Sequence, residues 1–195
     1  VSSATICSVI GTAVVVAVRK SKGFFKKTLE GVSLLPEMLP SIVLVIGIML
    51  FWNAIYKVIP LYNTIWIMVL AYVVLYLPYT VQYVTSAFTQ INDSLLQAGR
   101  VFGGTPAYVF RRVTLPMISR GIFAGWMMIF IIAFRELVTS SLIAPPNTLV
   151  VSTYINREFE QGSVSLGMVM AVLCVLITTT ALLVFNRLVG KRKGA

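Results

Sequence analysis

The chain has 195 residues, 58% of them hydrophobic and 11% charged, and its sixteen Lys and Arg against six Asp and Glu give a formal net charge of +10. A soluble domain carries roughly a quarter charged residues, so a mean hydropathy of +0.91 points to an integral membrane protein. The absence of histidine removes the commonest general base and metal ligand, no P-loop motif occurs, and no basic stripe with interleaved aromatics marks a nucleic-acid surface; no catalytic site, resident metal, cofactor or nucleic-acid partner is expected.

In chain order, Val1 to Val18 is an apolar run able to span about 27 Å as a helix, enough for a hydrocarbon core. Its cations, Arg19, Lys20, Lys22, Lys26 and Lys27, follow the apolar run rather than precede it, unlike a signal peptide. Cys7 lies within it and Cys174 within the last apolar run; both read as small packing residues rather than disulfide or metal partners. A second stretch from about Leu29 to Trp52 contains Pro36 and Pro40 with Glu37 between them. It is expected to be a kinked or broken helix packed in the interior, because neighbouring helices must satisfy carbonyls freed by proline. Glu37 is a pathway candidate, a helix-end charge, or the group that satisfies those freed backbone atoms.

Thr64 to about Phe88 forms a third span with a kink at Pro78. Tyr72, Tyr76, Tyr79 and Tyr83 recur on one helical face. Two readings stand: packing and interface anchoring, or a polar-tipped stripe along a passage, with Tyr72, Tyr76 and Tyr79 as its candidates. Gly121 to Leu137 is a fourth span ending in Arg135 and Glu136. Glu136 is a pathway candidate because a carboxylate near membrane depth is costly; the alternative is an ion pair with Arg135 or a hydrated helix end. Ala144-Pro145-Pro146-Asn147 is a turn. Arg157, Glu158 and Glu160 follow on an amphiphilic stretch, either solvated or in contact with a protein outside. Ser163 to Phe185 is the fifth span, ahead of a basic tail.

Five spans alternate sides, so the cations can be sorted. Arg19, Lys20, Lys22, Lys26, Lys27, Arg100, Arg111, Arg112, Arg120, Arg187, Lys191, Arg192 and Lys193 share one side, and only Lys57, Arg135 and Arg157 fall on the other. Short cytoplasmic loops collect Lys and Arg, which places residues 92–120 and the C-terminus in the cytoplasm.

Residues 92–120 form the longest interruption of the apolar sequence. Ser94-Leu95-Leu96-Gln97 reads as a capping box, Ala98, Gly99 and Gly103 offer a small surface for another backbone, and Gly103-Gly104 ends the helix. Thr105-Pro106 starts a second one, and Pro116 is expected to close the unit. The alternative is an amphipathic helix lying on anionic lipid.

This segment resembles the cytoplasmic motif of permease subunits of binding-protein-dependent ABC importers: E-A-A, three residues, G, nine residues, I-x-L-P. Gln97-Ala98-Gly99, Gly103 and Val113-Thr114-Leu115-Pro116 keep the spacing, with Gln97, Gly99 and Val113 as the departures. The resemblance extends through LLPEMLPSIVLVIG and FRELVTSSLI. It implies an all-α membrane protein of about five transmembrane helices plus a short cytoplasmic coupling helix, the type I ABC importer permease fold, in one transmembrane domain over 1–195. It implies ABC ATPase subunits docked at Ser94, Gln97, Ala98, Gly99, Gly103, Leu115 and Pro116, with Gln97 either capping its helix or touching the ATPase. A substrate-binding protein would meet Arg157, Glu158 and Glu160. A second permease domain, as a homodimer or tandem half, would complete the pathway in a bacterial inner membrane. The stretch AFRELVTSSLIAPPNTLVVSTYINREFEQGSVSLGM is most similar to the second half of ferric-iron permeases, and the apolar start without methionine fits half of a longer chain. Thiamine, polyamines and oxyanions are the alternative cargoes; a secondary transporter without an ATPase partner is the rival of another class.

Overall fold

The computed structural model describes residues 1–190; Lys191, Arg192 and Lys193 lie outside the described residues. Among these the chain is helical, without strands. Helix α1 (Ser2–Lys20) ends on Arg19 and Lys20, cations that complement the negative end of its dipole. The second apolar stretch is broken rather than kinked. Helix α2 (Gly23–Leu34) passes through a 3-10 turn at Leu35–Met38 into α3 (Ser41–Ala54), and the two halves are bent by 107°. Pro36 and Pro40 flank the break, each without an N–H for a helical ladder. The expectation of interior packing is corrected: only Ser33 of α2 and Val45 of α3 are buried.

Helix α4 (Ile65–Thr89) is the axle, with Pro78 buried inside it. Helices α5 (Asp93–Val101) and α6 (Pro106–Val109) follow. A π turn at Phe110–Thr114 then feeds α7 (Leu115–Arg135). The fourth span is therefore longer than expected: Pro106 to Arg135 runs as one thirty-residue helix, and Pro116 does not close the preceding unit. The Leu115 N–H donates to the Phe110 carbonyl five residues back. That wide turn lets the ladder slip one residue before a proline ring that would otherwise crowd a carbonyl. Short α8 (Val138–Ile143), α9 (Val151–Gln161) and the long apolar α10 (Val164–Gly190) complete the chain. Between α8 and α9, Thr148 N–H closes on Pro145 O, and Asn147 takes a positive φ, so the proline turn falls where expected.

Helices α1, α4 and α7 pack into a three-helix core with two apolar clusters. One joins Ala4, Cys7, Met68, Tyr72, Tyr76 and Ile129; the other joins Val15, Val81, Val84, Phe88, Ile91 and Ile118. Between them the helices approach closely. A Cβ on Gly11 would lie 2.6 Å from the Thr80 methyl, and one on Gly125 3.3 Å from Thr80 Cα. Cys7 is buried in the first cluster, its thiol against the Val73 carbonyl five residues before Pro78, and Cys174 is a second buried free thiol; both are packing residues.

The cationic segments gather at one end of this bundle. Arg19 lies over the Phe88 ring at 5.0 Å. Arg120 shares a cleft with Gln90 at the end of α4 and Phe185 near the end of α10. At the opposite end, Val1 to Ala4 meet Phe134 and the start of α9.

Candidate functional site

The cation-rich end carries a helical knob. Its first helix is capped by Asn92, whose side-chain oxygen accepts from the Ser94 N–H at 3.1 Å. The capping box at Ser94 is therefore corrected: the helix starts two residues earlier than that box requires. Gln97 then stands a turn past the cap, too far along to close a reciprocal pair, and its side chain is exposed. Helix α5 ends as expected at Gly103, which takes φ +82. The Gly104 N–H reaches back to Gly99 O at 3.1 Å, the six-to-one bond of a Schellman ending. Thr105 caps α6 by accepting from the Tyr108 N–H.

Glycines fold the knob onto itself. A Cβ on Gly99 would sit 3.2 Å from the Val109 side chain, and one on Gly104 2.5 Å from Gly99 O. The small surface around Gly99 is thus used inside the chain, while Ser94, Gln97 and Ala98 face outward. Leu96 seats the knob on the second apolar cluster. Its tip is apolar and bare: Val101 is 84% and Phe102 90% exposed. Leu115 and Pro116, in the first turn of α7, are also exposed.

At the opposite end, Glu136 closes α7 in an extended conformation. Both carboxylate oxygens accept from the Thr139 N–H, at 3.0 and 2.8 Å. Its main-chain carbonyl accepts from the hydroxyls of Ser140 at 2.9 Å and Ser152 at 2.6 Å. Glu136 therefore turns toward α8 rather than to Arg135, and one residue joins α7, α8 and α9. Tyr72 and Tyr76 are buried beside it, their rings stacked at 5.9 Å. The Tyr72 hydroxyl lies against Ser140, and the Glu136 carboxylate is within electrostatic reach of both tyrosines. Tyr79 lies 6.1 Å from Tyr76 with its ring tilted by 56° and is half-buried; Tyr83 is 38% exposed.

Glu37 lies apart from this corner. Exposed on the 3-10 turn, it accepts a hydrogen bond from the Gln82 amide of α4 rather than from backbone groups beside its prolines. Arg157, Glu158 and Glu160 divide by role. Glu158 accepts from the Ser163 N–H that opens α10, whereas Arg157 and Glu160 are exposed around a cleft with Thr153 and Asn156. Among the described residues no cluster of three or more Cys, Asp or Glu forms a metal-holding group.

Sequence reasoning missed the roles of Asn92, Gln82, Ser140 and Ser152. Asn92 precedes two other residues able to cap, Asp93 and Ser94, so residue type alone left the register open. Gln82 carried a readable signal, a lone amide in an apolar helix. The serines carried none, because their partners are set by how α7, α8 and α9 meet.

The sequence profile of the family described as "Binding-protein-dependent transport system inner membrane component" matches residues 9–194. The chain is 32% identical over 106 residues to the Fe(3+)-transport system permease protein FbpB 2 of Haemophilus influenzae, a match covering 54% of this chain and 21% of that protein. It is 23% identical over 142 residues to the spermidine/putrescine permease protein PotC of the same organism, covering 73% and 54% respectively. Thus the chain spans about half of one relative and about a fifth of the other. Among solved structures, the MetNI methionine ABC transporter superposes with a TM-score of 0.79 at 19% identity, covering 97% of this chain and 88% of the matched one.

Proposed function

We propose a translocation function from one premise: the chain belongs to the family of binding-protein-dependent transport system inner membrane components. In this reading it supplies one side of a pathway through a bacterial inner membrane, and separate ABC ATPase subunits move it. The observation that carries the proposal is the knob. A capped, glycine-folded element projects from the cation-rich end with Val101 and Phe102 almost fully exposed. Bare apolar tips of that kind mark a protein contact. Force on the knob passes directly into the long α6–α7 helix and, through Leu96, into α4. Ser94, Gln97, Ala98, Gly99, Gly103, Leu115 and Pro116 form the proposed docking set; Gln97, freed from capping, faces the ATPase. Replacing Phe102 with Asp tests this: ATPase subunits should no longer co-purify, although the permease still inserts. Undiminished co-purification would reject the docking assignment.

The cation-rich end is assigned to the cytoplasm, C-terminus included. The Glu136 corner, with Tyr72, Tyr76 and Tyr79, and Glu37 with Gln82 form the candidate path. Arg157 and Glu160 are the candidate contacts for a substrate-binding protein, and Glu158 shapes their corner. The bare flanks of α3 and α10 face lipid and a second permease domain, a homodimer copy or a tandem half.

Ferric iron is the proposed cargo, supported by the likeness to FbpB 2 and by the oxygen donors of the path residues, which suit a hard cation. A polyamine is the second reading, supported by the likeness to PotC and by a carboxylate framed by aromatic rings. Uptake into vesicles holding the reconstituted complex separates the two. Ferric uptake that needs ATP and resists excess spermidine supports iron; transport without ATP would favour a secondary transporter.

A further inference from the structure

Beneath the knob lies a cavity lined by none of the proposed docking residues. It measures about 240 Å³ and is lined by Val16, Arg19 and Lys20 at the end of α1, Phe88 at the end of α4, Leu96 of α5, and Pro106, Val109, Phe110 and Thr114. Phe88, Val109 and Thr114 are buried in its floor, and Arg19 and Lys20 stand exposed at its rim. The Arg19 guanidinium is held over the Phe88 ring at 5.0 Å, so one cation is positioned where charged rim meets apolar floor. On α2, Glu30 pairs with Lys26 at 3.9 Å.

We propose that this cavity binds an anionic phospholipid of the inner leaflet, its phosphate between Arg19 and Lys20 and its first methylenes against Phe88, Leu96 and Val109. Two observations select a lipid over a soluble anion. The lining apart from the two cations is almost wholly apolar, and the cavity opens where the apolar α1 span ends. Basic pockets between transmembrane helices on the cytoplasmic side suit acidic headgroups. The volume is that of about eight waters, enough for a headgroup and the start of its chains while the tails remain in the bilayer. Because the walls come from α1, α4 and the knob together, an occupant braces the knob against the core. Anionic lipid content would then set how firmly motion at Leu96 reaches α4. The proposal rests on the cytoplasmic assignment of the basic end.

The test uses the intact transporter, purified with phosphatidylglycerol and examined by native mass spectrometry. The wild type should retain about one phosphatidylglycerol per permease copy, and Arg19→Gln/Lys20→Gln should retain at least tenfold less. Lys26→Gln/Lys27→Gln removes equal charge outside the cavity and should retain it. Equal loss in both variants, or in neither, would overturn the site. Displacement of the lipid by millimolar inorganic phosphate would also overturn it, in favour of a soluble anion. Lipid retention is read without transport, so failure here leaves the ATPase co-purification result standing, and failure there leaves this one legible.

Discussion

Glu136 joins three helices through two different groups, and its variants separate those duties. The main-chain carbonyl serves Ser140 and Ser152 and survives any side-chain change; the carboxylate serves the Thr139 N–H. Glu136→Gln keeps an acceptor for Thr139 but removes the charge facing the tyrosines. Uptake of a cationic cargo should fall about tenfold while thermal stability in detergent hardly changes. Ser152→Ala removes a part-buried tie worth about 1 kcal/mol, and the melting midpoint should fall by a few degrees. The Thr139 hydroxyl itself is buried without a partner in the described residues. Thr139→Val should therefore be neutral or stabilising; a clear loss would mean that the hydroxyl bonds to something beyond this chain, such as cargo or a second copy. At this scale the sequence was informative about chemistry and poor on register. It nominated Glu136 from cost alone, because a carboxylate beside an apolar span needs partners. It misplaced the helix cap because Asn92, Asp93 and Ser94 are all competent and only the backbone's path decides among them.

Breaks and close approaches decide what each helix does. The glycine-ended motif and the Thr105-Pro106 restart were legible, since each rests on local backbone rules. The π turn before Pro116 was not, because a proline can end a helix or be absorbed by a wide turn. Nor was the 107° bend between α2 and α3, whose prolines announce a break without an angle. Glycine contacts yield graded predictions. A Cβ at Gly11 meets the Thr80 methyl, whereas at Gly121 it meets the Ala87 Cβ at 2.5 Å and the Tyr83 carbonyl oxygen at 2.8 Å. Overpacking costs about 1–3 kcal/mol, and backbone yields less readily than a methyl. Gly121→Ala should therefore lower stability more than Gly11→Ala, and Thr80→Ala should partly rescue only the latter, as read by thermal unfolding. In the knob, Gly103 needs its positive φ but has open space around it, while Gly104 is confined by Gly99. Asparagine tolerates the left-handed region and valine does not. Gly103→Asn should thus keep ATPase stimulation that Gly103→Val loses, and Gly104→Ala should lose it by collision rather than strain.

The whole molecule is an incomplete solid with a strong electrical polarity. The α4 span is 61% buried, against 11% for Val164–Phe185 of α10. One side of the bundle is thus a finished core and the other a bare apolar wall, which lipid or another permease domain must cover. Polarity was the large-scale feature most legible in the sequence, because it depends on counting cations between spans and not on how the spans pack. The fold adds that the ends of α1, α4 and α10 and the knob meet at that same basic end. If the positive-inside rule governs this chain, the knob tip and the Asn147 turn lie on opposite sides of the membrane. Single cysteines at Phe102 and at Asn147 test the arrangement, because the native Cys7 and Cys174 are buried and should stay silent toward an impermeant maleimide. The Asn147 site should label in right-side-out vesicles, and the Phe102 site only in inverted ones. ATPase subunits bound to the knob should then protect the Phe102 site alone. Labelling of both sites from one side would abolish the topology on which force transfer, lipid bracing and cargo direction all depend, and exchange of the two patterns would invert it.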